Sequence, residues 1–250
     1  MNIIFEDDVL AVEAVKAIHT GNVLSLKRLL ADHPGLVTAR IVGRDYNEKS
    51  NSLGMSRTLL HVVADWPGHF PGGAATVRLL VNAGAEVNAR FTGPHTETPL
   101  HWAASCDDIE VLDALLDAGA DIEARGAVIA GGTPLDDAVA FAQWRAARRL
   151  VERGARTKLW HSAALGLMDR VKKQCEGSKS PTPDEITEAF WLACHGGQLK
   201  TAEYLLKKGA TLNWIGYDHL TPLDTARRSG AHELVQWLGS RGAKSAIELV

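Results

Sequence analysis

The sequence predicts an all-α fold: a solenoid of about seven helix-turn-helix repeats that form one continuous domain over residues 1–250. Three observations predict it. A Gly-Ala pair recurs at residues 84–85, 119–120, 154–155, 209–210 and 242–243. An apolar block precedes each pair, and in three copies a Thr-Pro-Leu tripeptide stands 21 residues before the glycine. Such self-similarity is typical of stacked repeats, in which each unit buries its apolar face only against its neighbours.

Each part of the repeat has a local physical reason. Thr98 places a hydroxyl at a helix N-cap, and Pro99 has no N–H to leave unbonded at the first helical position. Small residues such as Ala103 let two helices approach closely. The second helix carries apolar residues at i, i+3 and i+4 spacing. A glycine such as Gly84 then ends it in the left-handed conformation. The predicted unit is a helix, a short turn, a second helix and a connector.

Two copies carry a specific resemblance. Residues 98–104 read Thr-Pro-Leu-His-Trp-Ala-Ala and are followed at 119–124 by Gly-Ala-Asp-Ile-Glu-Ala. Residues 58–64 and 84–89 repeat this arrangement. Both copies resemble the ankyrin repeat over more than thirty positions. The resemblance implies an ankyrin-repeat solenoid with repeats at approximately 8–42, 57–90, 91–125, 126–157, 158–180, 181–213 and 214–250.

Three regions depart from the regular repeat. Residues 158–180 lack the Gly-Ala ending, which predicts a degenerate repeat, and the short connectors there predict a kink near 155–185. Thr182, Pro183 and Glu185 form a capping-box start, so the first helix of repeat six is expected to begin about one turn early. The fourth, sixth and seventh copies lack the histidine that, in the family, bonds backbone between repeats. Its place is taken by Asp136, Trp191 and Asp224.

Two insertions are expected to lie at the surface. Residues 43–52 are polar and rich in turn formers, which predicts an extended finger loop. Residues 66–73 add about five residues between the two helices of the second repeat, and their prolines and glycines prevent helix. This second loop carries Trp66, His69 and Phe70. The sequence leaves open whether these rings pack onto the core or contact a partner.

Composition excludes several classes of function. With 27 basic and 30 acidic residues the net charge is −3, which favours neither nucleic-acid nor anionic-membrane binding. The sequence has no run of about 20 apolar residues, so membrane insertion is not expected. Its three cysteines are odd in number and far apart, and the first residues do not form a signal peptide. We expect a cytoplasmic monomer.

The motifs give no indication of catalysis or of a cofactor. The ten histidines form no His-x-x-x-His pair, there is no Cys-x-x-Cys, and neither a phosphate loop nor a nucleophile elbow is present. We therefore expect no enzyme activity, no metal site and no other cofactor. The resemblance assigns His61, His101 and His161 to bonding at helix starts.

The resemblance implies a non-enzymatic scaffold that binds a partner protein through finger loops and the concave face of the first helices. The residues whose positions match that surface are Met55, Arg57, Asp65, Trp66, His69, Phe70, Phe91, His95, Glu97, Trp102, Ser105, Phe141, Tyr217, Asp218, Leu220 and Arg227, together with Ala130 and Gly132. Phe91 and Tyr217 are the expected aromatic anchors. Two alternatives remain open. One is a small-molecule or metal-binding pocket formed by the Trp66–Phe70 loop and neighbouring fingers. The other is a regulatory or effector subunit of a larger complex.

Overall fold

The computed structural model describes residues 2–43, 54–177 and 180–249. The predicted finger at 43–52 therefore lies, beyond its first residue, outside the described residues. The fold is the predicted helical solenoid of ankyrin type, and the chain divides into two compact units, residues 1–155 and 156–250. The division into seven repeats stays a prediction.

The first unit consists of four helix pairs. Their bounds are α1 Val9–His19, α2 Val23–Asp32, α3 Leu59–Val63, α4 Gly73–Asn82, α5 Pro99–Ser105, α6 Ile109–Asp117, α7 Pro134–Ala140 and α8 Trp144–Glu152. The two helices of each pair contact one another, the first helices contact the first helices of neighbouring pairs, and the second helices do the same. This stacking buries apolar side chains such as Leu60, Leu100 and Leu135.

The second unit consists of three helix pairs. Their bounds are α9 Leu159–Ala164, α10 Met168–Cys175, α11 Pro183–His195, α12 Leu199–Lys207, α13 Pro222–Arg228 and α14 His232–Ser240. Phe190, Leu205 and Leu238 are fully enclosed in its core. Helix α11 starts from a Thr182–Glu185 capping box, as predicted. The prediction of one extra turn was too small, because Thr182 lies six residues before Glu188, the position that matches the usual N-cap, and six residues make nearly two turns.

A short sheet in the first unit was not predicted. Strand β1 (Ile3–Phe5) pairs in parallel with β2 (Arg40–Val42), and β3 (Ser56–Arg57) pairs antiparallel with β2. Arg40 fixes the sheet to the next repeat: its guanidinium donates to the Ser56 carbonyl at 2.9 Å and to the Arg90 carbonyl at 2.7 Å. These strands are too short for their alternation to stand out in the sequence.

Threonine caps set the register of the repeats. Thr98, Thr133 and Thr221 are the N-caps of α5, α7 and α13, as the Thr-Pro-Leu pattern predicts, and Thr58 of the related Thr-Leu-Leu segment is the N-cap of α3. Counting from these caps identifies the residues that occupy equivalent places in successive repeats.

Histidines tie neighbouring repeats together. The Nδ1 atom of His101 accepts the Thr98 backbone N–H at 3.1 Å, and Nε2 lies 3.4 Å from the Gly132 carbonyl. His61 repeats this arrangement and reaches the Glu97 carbonyl at 3.2 Å. Burial lowers the pKa of His61 to about 3 and of His101 to about 4. Both rings therefore stay neutral, with the proton on Nε2 facing the carbonyl.

Where the histidine is missing, an aspartate makes the bond at the helix start, and a tryptophan makes the bond between repeats. Asp136 accepts the Thr133 backbone N–H at 2.7 Å, and Asp224 accepts the Thr221 N–H at 3.2 Å. Trp191 donates its indole N–H to the Leu220 carbonyl at 2.8 Å. Leu220 precedes the Thr221 cap just as Glu97 precedes the Thr98 cap. The indole thus makes the same bond between repeats that His61 makes.

Candidate functional site

The first unit contains an open cleft of about 460 Å³, which we call the aromatic cleft. It is lined by Trp66, Glu97, Trp102, Ser105, Cys106, Val128, Phe141 and Gln143. Apolar side chains dominate its walls, and no lysine or arginine is among its lining residues.

The repeat register explains why these side chains meet. Trp66, Cys106 and Phe141 each stand eight residues after a threonine cap, at the ends of three successive first helices. Trp102 and Asp137 each stand four residues after such a cap. Since α3 contacts α5 and α5 contacts α7, equivalent positions form rows across the helices. Large side chains at these places line one surface.

The Trp66–Phe70 loop is held on both sides but presents one ring to solvent. The His69 backbone N–H donates to Asp108 Oδ2 at 2.7 Å, and His69 Nε2 lies 3.1 Å from the Cys106 carbonyl. Phe70 stacks on His19 with ring centroids 4.2 Å apart. Trp66, by contrast, is 82% exposed. The loop therefore combines both alternatives left open by the sequence: His69 and Phe70 pack against neighbouring repeats, while Trp66 is free for contact.

Trp102 forms the fixed wall of the cleft. Its ring centroid lies 5.3 Å from that of Phe91 and 5.0 Å from that of His61. Both neighbours belong to buried or half-buried elements, so the indole is held from behind while it also lines the cleft. Phe141, 42% exposed, is the third large ring of the lining. Three aromatic rings thus border one cavity.

Two buried carboxyl groups give this region its electrostatic character. Glu97 lines the cleft with only 7% of its surface exposed, and burial raises the pKa of its carboxyl group. Asp137 is completely buried. The pKa of Asp137 is raised to about 7, chiefly by burial, with smaller contributions from the charges of Glu97 and Asp136 and with the Ile129 and Val128 backbone N–H groups opposing the rise. The region therefore disfavours ionised carboxylates as long as no cation is present.

One oxygen of Asp137 lacks a hydrogen-bond partner. Oδ1 accepts the Ile129 backbone N–H at 3.2 Å. Oδ2 is buried and has no partner among the described residues. A buried, unsatisfied carboxylate oxygen is costly and calls for a functional explanation.

The thiols are poorly suited to redox sensing. Cys106 lines the cleft, but burial raises its pKa to about 12. Burial also raises the pKa of Cys194 in the second unit. Because the thiolate is the reactive form, both groups are unreactive near neutral pH.

The structure brings five of the sequence-predicted residues together in the aromatic cleft: Trp66, Glu97, Trp102, Ser105 and Phe141. Phe91 supports Trp102 from behind. Arg57 forms an ion pair with Asp65 and lines a different cleft with His19. The other predicted residues of this unit lie outside the cleft lining. Met55 is exposed and His95 is half-buried. Ala130 has a positive φ of 52°, and the Gly132 carbonyl faces His101.

The remaining predicted residues belong to the second unit. Tyr217 packs edge-on against Trp191 and Trp214, with centroid distances of 5.3 and 6.0 Å, and its hydroxyl donates to Glu188. Asp218 accepts a hydrogen bond from Arg228 at 2.6 Å, and Arg227 lies 3.7 Å from Asp224. The Leu220 carbonyl accepts the Trp191 indole N–H. These contacts form a separate cluster.

Sequence reasoning missed four residues of the site. Cys106, Val128 and Gln143 line the aromatic cleft, and Asp137 lies one helical turn before Phe141. Counting from the threonine caps would have found Cys106 and Asp137, because these two share positions with Trp66 and Trp102. Val128 and Gln143 carry no comparable signal.

The described residues contain no group of three or more histidine, cysteine, aspartate or glutamate side chains placed to hold a metal ion. Within the same part of the chain, every helix is too short or too polar to span a bilayer.

The fold and the cleft define a repeat protein of stacked helix pairs. The model of the ankyrin-repeat family, described as "Ankyrin repeats (3 copies)", matches residues 14–126 and 72–159, which together span more than half of the chain. The protein belongs to the ankyrin-repeat family. Members of this family are generally protein-interaction modules and typically non-enzymatic scaffolds.

Individual proteins agree with this assignment. The chain is 30% identical to the ankyrin repeat and KH domain-containing protein CBG24701 of Caenorhabditis briggsae over 70% of its length. It is 33% identical to the ankyrin repeat and KH domain-containing protein mask-1 of Caenorhabditis elegans over 68%. It spans only 7% and 6% of these relatives. The human ASB11 ankyrin repeat domain is similar in fold, with a TM-score of 0.51, 20% identity and coverage of 90% of this chain and 96% of that chain.

Proposed function

We propose that this protein is a non-enzymatic scaffold that holds a partner protein at the aromatic cleft. The observation that carries the proposal is the placement of Trp66, a large ring left 82% exposed on a loop whose other side chains are fixed. Exposed aromatic rings on rigid supports are typical of interface hot spots, because they bury much area at little cost in entropy. Phe141 and Trp102 provide further apolar walls.

Two further features belong to the proposal. The three cysteines are free thiols, in keeping with a reducing compartment such as the cytoplasm. The buried thiols and the neutral, hydrogen-bonded histidines leave the cleft without an activated nucleophile. We propose that the protein acts as a monomer that presents its cleft to a different protein.

Affinity capture with matched variants tests this function. Wild type, the double variant Trp66→Ala/Phe141→Ala and the control Leu24→Ala are immobilised and incubated with lysate of the source cells. Leu24 is an exposed apolar side chain on α2, outside the cleft lining. We expect a protein retained by wild type and by the control but lost from the double variant, read by quantitative mass spectrometry. Equal retention by all three would contradict the proposal.

A small-molecule ligand is the second candidate. The volume of the aromatic cleft, about 460 Å³, falls within the range that small ligands occupy. Thermal-shift measurement against a metabolite panel tests it. A compound that stabilises wild type but not the Trp66→Ala/Phe141→Ala variant would favour this candidate over a protein partner.

A further inference from the structure

The aromatic cleft combines apolar walls with one buried carboxyl group. Trp66, Trp102 and Phe141 line it with their rings, while Glu97 is the charged residue of the lining. Rings of this kind attract cations through their faces, with tryptophan the strongest. A buried carboxyl group also favours a nearby cation, which stabilises its charged form. Two independent features therefore point to the same sign of charge.

Two arginines of the first unit form ion pairs away from the cleft lining. Arg57, which precedes the cap of α3, pairs with Asp65. Arg145 on α8 faces Asp107 at 3.9 Å. Neither lines the cleft. The Glu97 carboxyl group accepts a hydrogen bond from Trp102 and is influenced by the positive charge of His95, but no lysine or arginine lines the cleft beside it.

Asp137 adds a second, independent observation. Its Oδ2 atom is buried and has no hydrogen-bond partner in the described part of the chain. The negative charge of Glu97 is among the causes that raise the pKa of Asp137, after burial. A cation bound at Glu97 would offset the negative charge that acts on Asp137.

We propose that the aromatic cleft binds a lysine or arginine side chain presented by the partner protein. This inference rests on the proposed function and names the chemistry of the anchor. The long apolar stem of such a side chain packs against Trp66, Trp102 and Phe141, and its charged head reaches Glu97. Lysine and arginine combine an apolar stem with a terminal cation, as the lining of this cleft requires.

Selection of peptides tests the proposal without knowledge of the partner. A phage-displayed library of random peptides is panned on wild type, and bound peptides are compared on Trp66→Ala, Glu97→Gln and the control Glu233→Gln. Glu233 is an exposed carboxylate on α14 in the second unit. The Glu97→Gln replacement keeps a side-chain carbonyl that can accept the hydrogen bond from Trp102, and circular dichroism checks its fold.

The deciding measurement uses a selected peptide whose lysine is replaced by norleucine, which keeps the stem and removes the charge. An arginine found in place of lysine is treated in the same way. On wild type and Glu233→Gln we expect binding to weaken about tenfold or more, the usual effect of losing a charge-assisted bond. On Glu97→Gln the same replacement should change affinity little, because the partner charge is already lost. Asp137→Asn is the second variant should Glu97→Gln fail to fold, and it should also reduce the effect of the replacement.

The outcomes separate the two proposals. Peptides that depend on Trp66 but contain no essential lysine or arginine would overturn the cationic anchor and leave the scaffold function standing. The absence of any peptide that prefers wild type over Trp66→Ala would overturn both.

Discussion

The two units differ in the residues that end their first helices. In the first unit the helix ends carry Trp66, Cys106 and Phe141, which line an open cleft. At the ends of α11 and α13 in the second unit, the corresponding positions hold Gly196 and Ser229, which precede left-handed turn residues just as Cys106 and Phe141 do. A Cβ added at Gly196 would lie 1.9 Å from the Ala164 carbonyl oxygen. At Gly196 this position thus serves close helix packing, at Ser229 it is exposed, and in the first unit it lines an open cleft.

A second row shows the same contrast in polarity. Four residues after the caps, the first unit has Trp102 and Asp137, and the second has Ser162 and Thr225. The two hydroxyl residues are buried, but they bring no charge into their core. The scaffold of backbone and caps is shared, and a few positions decide whether a unit presents a site or only packs.

Among the substitutions that test this comparison, Gly196→Ala is expected to change the free energy of unfolding most. Gly196 has φ −83°, which alanine adopts freely, so the cost arises only from the collision with Ala164. We expect a loss of about 3 kcal/mol in the free energy of unfolding, at the upper end for overpacking. Urea denaturation measures it.

Gly239→Ala is the matched control. Gly239 lies within α14, and nothing would stand within 4 Å of its new Cβ. Replacement there should be neutral or stabilise by up to about 1 kcal/mol. If both variants were equally stable, the close packing of the second unit would not depend on a glycine at 196.

A smaller effect is expected from Asp137→Asn, and it depends on pH. The pKa of Asp137 is raised to about 7 in the fold, above its ordinary value of 3.8, by burial, with Glu97 and Asp136 adding repulsion and the Ile129 and Val128 amides opposing it. Between these values the folded protein binds a proton that the unfolded chain does not. The contribution of Asp137 to the free energy of unfolding is therefore most favourable at low pH and is lost as the pH rises towards 7.

The asparagine variant lacks this titration. Relative to the Asp137→Asn variant, wild type should lose about 1 kcal/mol in the free energy of unfolding per pH unit between pH 5 and 7, since one pKa unit corresponds to about 1.4 kcal/mol. Denaturation at a series of pH values measures the difference. If the free energy of unfolding changed with pH in the same way in both proteins, the pKa of Asp137 would not be raised in the fold.

The smallest effect on stability is expected from Trp66→Ala. Because the ring is largely exposed, its removal should change the free energy of unfolding by less than about 0.5 kcal/mol. Phe70→Ala is the comparison within the same loop and should cost more, since Phe70 stacks on His19. A strong destabilisation by Trp66→Ala would mean that the ring serves packing rather than contact.

Much of the fold was predictable because its signals are short-range. A threonine cap followed by proline acts within one turn, so Thr98, Thr133 and Thr221 mark helix starts from sequence alone. The sequence shows that Trp191 stands in the place of a histidine, but it does not show the bond from the Trp191 indole N–H to the Leu220 carbonyl. That bond joins two repeats, and no local pattern specifies it. The sheet around Arg40 was missed for the same reason.

The candidate site was predictable only in part. Trp66, Trp102 and Phe141 were singled out as large aromatic residues at exposed positions, but so were Phe91 and Tyr217, which pack against other rings. The choice of Phe91 and Tyr217 as anchors stays a prediction. Asp137 was overlooked because an aspartate in the first turn of a helix has an ordinary explanation in the helix dipole.

The sequence by itself determined the family, the helix starts and the pairing of helices, because capping and apolar periodicity act over a few residues. Only the tertiary structure decided that Trp66, Trp102 and Phe141 line one cleft and that Glu97 and Asp137 lose their solvent beside it. The physical reason is that ring contacts and desolvation depend on neighbours contributed by several repeats, and stacking brings these neighbours together.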